Sequence, residues 1–84
     1  MTEKEVQLLG FEVNYDDGAG NWNTYHYYTH TITRGLEFIS NASDEIEEGG
    51  EWFIEIFNTE DPVRFYKFEE VQNLINTLEK HLIK

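Results

Sequence analysis

The stretch Phe68-Glu69-Glu70-Val71-Gln72-Asn73-Leu74-Ile75-Asn76-Thr77-Leu78-Glu79-Lys80-His81-Leu82-Ile83 carries its apolar residues in one helical register. Phe68, Val71, Leu74, Ile75, Leu78 and Leu82 are separated by 3, 3, 1, 3 and 4 positions, a single stripe at the period of an α-helix. Glu69 and Glu70 fall in the first turn, with Lys80, His81 and Lys84 near the end, and both placements suit the helix dipole. A helix this short is marginal alone, so the stripe has to be buried against a second layer. The stretch therefore predicts a helix over 68–83 lying on a sheet. Val71, Leu74, Ile75 and Leu78 are expected to meet Trp52 or Phe53, Ile54, Ile56 and Phe65.

Working back along the chain, Val63-Arg64-Phe65-Tyr66-Lys67 reads as a short strand. Pro62, which cannot donate to a ladder, sits in the turn before it. Glu51-Trp52-Phe53-Ile54-Glu55-Ile56-Phe57-Asn58 reads as an interior strand with apolar residues on both faces. Over 34–48, Leu36, Ile39, Ala42 or Ser43, and Ile46 recur every three to four residues and Gly49-Gly50 would end a helix, so the segment is read as helix, restricted to 42–48 at its shortest. The competing reading makes Leu36-Glu37-Phe38-Ile39-Ser40 a strand, because Asn41 and Ser43 are poor in a helix interior. Thr24 to Ile32, rich in β-branched and aromatic residues, forms a strand with Tyr25 and Tyr27 on one face and His26, Tyr28, His30 and Ile32 on the other. Asp16-Asp17-Gly18-Ala19-Gly20-Asn21 is the turn before it. Residues 5–15 alternate as a strand, with a slip of phase at Leu9-Gly10 that fits a β-bulge. The expected fold is α+β in the order β-β-α-β-β-α. A four-stranded, mostly antiparallel sheet carries the C-terminal helix on one face, in a single domain over 1–84.

Composition narrows the function. The chain has 84 residues, 39% of them hydrophobic and 15% aromatic, enough for one packed core. Six Lys and Arg stand against 17 Asp and Glu, a net charge of −11. Binding to nucleic-acid backbones or to an anionic membrane surface is disfavoured at that charge. There is no cysteine, which excludes disulfides and thiol chemistry. No apolar run reaches the roughly 18 residues of a membrane span. Met1-Thr2-Glu3-Lys4-Glu5 lacks the basic-then-apolar layout of a signal peptide, so a cytoplasmic location is expected.

Between Arg34 and Arg64 there is no Lys, Arg or His. Glu37, Asp44, Glu45, Glu47, Glu48, Glu51, Glu55, Glu60 and Asp61 make the net charge of that interval −9. Like charges repel within a folded domain, and solubility alone does not require them unmixed with lysine. The pattern suits a surface for a basic protein, such as an enzyme with a nucleic-acid channel. Asp44, Glu45, Glu47, Glu48 and Glu51 would form its centre, with Trp22 and Tyr25 as aromatic anchors. In composition the chain resembles small acidic inhibitors from phage that mimic DNA, and immunity proteins that plug nucleases. That resemblance implies a phosphate-mimicking inhibitor or regulator. The alternative is a structural or regulatory domain that homodimerises through its sheet.

Other motifs carry less. His26 and His30, four apart on a strand, stand about 13 Å apart at about 3.3 Å per residue and cannot share an ion. The loop acids Asp16 and Asp17 do not match a calcium-loop spacing. Asn41-Ala42-Ser43 is a formal glycosylation sequon without a secretory context. No nucleophile elbow, phosphate loop or zinc-protease motif occurs, so no enzyme activity, cofactor or metal is expected.

Overall fold

The computed structural model describes residues 1–16, 25–46 and 50–83. The fold is α+β, a sheet with the helix Phe68–Lys80 (α2) on one face, but the described residues form five strands rather than four, and they open with a helix. That opening helix, α1, spans Glu3–Leu8. Thr2 Oγ1 accepts from the Glu5 N–H at 3.2 Å, and the Glu5 carboxylate accepts from the Thr2 N–H at 2.9 Å. This reciprocal cap satisfies donors that the first helical turn leaves open. Gly10, at φ 85, closes the helix in the left-handed region and donates its N–H to Gln7 O. The expected strand over 5–15 is thus corrected. The slip of phase at Leu9-Gly10 is a helix end, not a bulge, and strand β1 covers only Glu12–Asp16.

The strands follow one another as an antiparallel meander in chain order: β1, then β2 (Tyr25–Thr33), β3 (Leu36–Ser40), β4 (Ile54–Ile56) and β5 (Arg64–Phe65). The turn residues 17–21 lie outside the described residues, but the β1–β2 pairing closes toward them, with Asp16 opposite Tyr25. The helix expected over 34–48 is overturned. Gly35 adopts φ 90 and turns the chain between Thr33 and Leu36, so Leu36–Ser40 folds back on β2. Of the proposed helix the described residues, which end at 46 here, show only a 3-10 turn, Ser43–Glu45. The strand expected over 51–58 pairs only at its centre, in β4, with β3 and β5 as neighbours.

Side chains take over where the ladders stop. Ser40 Oγ accepts from the Tyr28 N–H at 2.9 Å, and Ser43 Oγ from the His26 N–H at 3.0 Å. Asn41, only 8% exposed, donates Nδ2 to Glu51 O at 3.2 Å and accepts from the Phe53 N–H at 3.1 Å. The 3-10 turn and the approach to β4 are therefore fixed by side-chain bonds that substitute for a ladder.

Both helices cover the face that bears Tyr28, Ile32, Phe38 and Ile54, and Val6, Val71 and Ile75 reach into it. Leu74 and Leu78 are half-buried at the edge of this core. Trp52 is the inward neighbour of β4, whereas Phe53 points to the opposite face and takes Arg64 over its ring. Among the described residues no helix is long and apolar enough to cross a membrane.

Candidate protein-binding face

Among the described residues no helix lies on the second face of the sheet. Alternation along the strands fills it with Asn14 from β1, Tyr25, Tyr27, Thr29 and Thr31 from β2, and Glu37 and Ile39 from β3. One row runs across all five strands: Glu12 opposite Thr29, Thr29 opposite Ile39, Ile39 opposite Glu55, and Glu55 opposite Arg64. Phe53 and Phe57 flank Glu55, and Tyr66 packs its ring 5.6 Å from that of Phe53. Phe57 and Tyr66 remain 52% and 45% exposed. Arg64 is the only Lys or Arg within the five strands among the described residues. Its guanidinium lies 4.7 Å from the centre of the Phe53 ring, and Nε stands 3.5 Å from Glu55 Oε2. The face is aromatic and acidic, and no described helix covers it.

The residues singled out in the sequence distribute around this face. Asp44 and Glu45 are exposed on the 3-10 turn that follows β3. Tyr25 is half-buried on the open face, its ring 6.4 Å from that of Tyr27. Tyr25, Tyr27, Ile39, Ala42 and Glu45 line a single groove of about 260 Å³, so the proposed anchor and one proposed acid meet. Glu51 is exposed, and its carboxylate pairs with the buried Met1 ammonium at 3.0 Å, which ties it to the start of the chain rather than to the groove. Trp22, Glu47 and Glu48 lie outside the described residues. Tyr27 and Ile39 were missed as lining residues. The alternation of β2 had already put Tyr27 beside Tyr25, but Ile39 depended on the pairing of β2 with β3.

The two histidines have separate tasks on the helix-covered face. His26 Nε2 stands 2.6 Å from Glu3 Oε2, and the Tyr28 hydroxyl donates to the same oxygen at 2.8 Å. Gln7 Nε2 donates to that hydroxyl at 3.0 Å. His30 Nε2 lies 3.2 Å from Glu79 of α2 while its ring stacks on Phe11. Each histidine thus holds a different helix to the sheet, α1 through Glu3 and α2 through Glu79. None of the four described cavities is lined by His26 or Glu3. Among the described residues no group of three His, Cys, Asp or Glu is placed to hold a metal ion.

Burial raises the Glu3 carboxyl, but hydrogen bonds from His26 and Tyr28, together with the His26 charge, outweigh it and leave the group below its ordinary 4.5. Burial, reinforced by Glu3, pushes the Tyr28 hydroxyl above its ordinary 10.0. A carboxyl whose pKa is lower in the folded chain stabilises the fold above its unfolded value and loses that contribution as pH falls through the folded one. Glu3→Gln should therefore cost stability at neutral pH, under about 1 kcal/mol for so exposed a pair. The difference from the parent should shrink as pH falls below about 4.5. Denaturant titrations of both chains across that range test it, and a difference independent of pH would reject this role for the Glu3 carboxylate.

Comparison of the chain with protein-family models, with curated proteins and with solved structures finds no match.

Proposed function

We propose that this chain is a protein-binding module that inhibits or regulates a nucleic-acid-handling protein, with its carboxylates taking the places of phosphates on a basic surface. One observation carries most of the weight: Tyr25 and Glu45, twenty positions apart in sequence, share a groove at the margin of a sheet face that no described helix covers. Aromatic side chains supply anchoring area, and charges at the rim steer the encounter. Glu12, Glu37 and Glu55 extend the negative charge across the same face, and Arg64 alone offsets it within the described strands. The interval from 35 to 63, net −9, supplies the rest of the field.

The test is capture from lysate on immobilised protein at low and high salt, with free duplex DNA as competitor. Nucleic-acid-binding proteins should be retained at low salt and displaced by either salt or DNA. Asp44→Lys with Glu45→Lys should slow association of the captured protein by about tenfold or more, or about 1.4 kcal/mol per decade. Capture indifferent to salt and to DNA would reject this function. A second function, homodimerisation through the open face, is favoured by the exposure of Phe57 and Tyr66. It would take precedence if sedimentation shows a dimer that Phe57→Ser dissolves while no basic protein is captured.

A further inference from the structure

We infer that the groove between Tyr25, Tyr27, Ile39, Ala42 and Glu45 receives one arginine side chain of the partner. The inference rests on the proposal that the partner is basic. The groove, at about 260 Å³, falls below the roughly 300–1,000 Å³ of small-molecule pockets and is suited to a single side chain. It is lined by Tyr25 and Tyr27, whose rings are tilted by 34° to each other, and by Ile39 and Ala42. Glu45 is its one charged lining residue and has no ion-pair partner among the described residues.

An aromatic wall beside a single carboxylate selects a cation with a flat, weakly hydrated head, because the ring faces attract positive charge and the carboxylate balances it. The molecule already uses this chemistry once. Arg64 spreads its guanidinium over Phe53, with Glu55 at its Nε, on the same sheet face. The groove repeats that arrangement, aromatic ring and carboxylate together, without a cation of its own among the described residues. Charge complementarity thus points to arginine, and a planar guanidinium lies flat on a tyrosine ring better than a compact ammonium does.

The experiment is an NMR titration of the isotope-labelled chain with acetyl-arginine amide and, separately, with acetyl-citrulline amide, which has the same shape without the charge. The arginine compound should shift Tyr25, Tyr27 and Ala42 saturably, and citrulline should not. Glu45→Gln and Tyr27→Leu should each weaken binding by about two- to fivefold, the size of one exposed charge pair or one cation–ring contact. Glu60→Gln, in the β4–β5 turn, should leave it unchanged. Amide-shift dispersion confirms that each variant is folded. If citrulline binds equally, or if the shifts map to other acids while an oligo-arginine peptide still binds, the groove assignment fails and the basic-partner proposal stands. If oligo-arginine does not bind at low salt, the basic-partner proposal fails with it.

Discussion

Phe38→Ala should remove most of the stability of the fold. Phe38 is 0% exposed at the centre of β3, the middle strand of five, opposite His30 on β2 and Ile56 on β4. Truncating a buried Phe costs about 3–5 kcal/mol, because the lost transfer free energy is joined by that of the cavity left behind. A domain of this size has roughly 4–13 kcal/mol, and small domains tend toward the lower end. In urea the midpoint should fall steeply, with the slope unchanged if the denatured state is unaffected. Phe57→Ala supplies the contrast. Phe57 lies on the open face and is 52% exposed, so its loss should stay within about 1 kcal/mol. The reverse ranking would mean that the helices cover the other face of the sheet.

Phe38 also shows where sequence reasoning succeeded and where it failed. On β2, the two-residue period of a strand separated Tyr28 and Ile32 from Tyr25 and Tyr27, and the helices cover the first pair. The α2 stripe was equally legible, because four turns of a 3.6 period cannot be mistaken for a strand. From Leu36 to Ile46 the two periods coincide. Leu36, Ile39, Ala42 and Ile46 satisfy a helix, while Leu36, Phe38 and Ser40 satisfy a strand. What decides between them is Gly35, whose positive φ folds the segment onto β2, a constraint set by pairing rather than by propensity.

Helix α1 failed for a different reason. It buries only Val6, so no periodicity can emerge over six residues, and Val6 with Leu8 looks like a strand. The Thr2-x-x-Glu5 capping box was a local signal that would have identified it. At the candidate face, acidity and aromatic excess were visible in the sequence. The meeting of Tyr25 with Glu45 was not, because it depends on β2–β3 register and on the path of the chain through Asn41.

Asn41→Ala is expected to cost about 2–3 kcal/mol, since it removes two hydrogen bonds and leaves a donor and an acceptor without partners. The donor is the Phe53 N–H and the acceptor is Glu51 O, both currently held by the Asn41 side chain at 3.1 and 3.2 Å. No strand pairing operates there, because the β3–β4 ladder ends with Ser40 opposite Ile54. Asn41 therefore does by side chain what the ladder does elsewhere, and its burial is a structural requirement that the sequon reading could not reveal. The loss should reach the candidate face. Asn41 directly precedes Ala42 and the 3-10 turn that carries Asp44 and Glu45, and Ser43 Oγ is the other bond that fixes this turn to β2. Hydrogen exchange should accelerate at the Phe53 amide well beyond the change seen at the Ile56 amide, which the Val63 carbonyl holds at the far end of β4. Binding of an oligo-arginine peptide should weaken even where the variant is still folded, because Glu45 would no longer be held beside Tyr25 and Tyr27. A stability loss below about 0.5 kcal/mol would mean that water replaces the amide at little cost. Unchanged peptide binding would mean that the position of Glu45 owes nothing to Asn41.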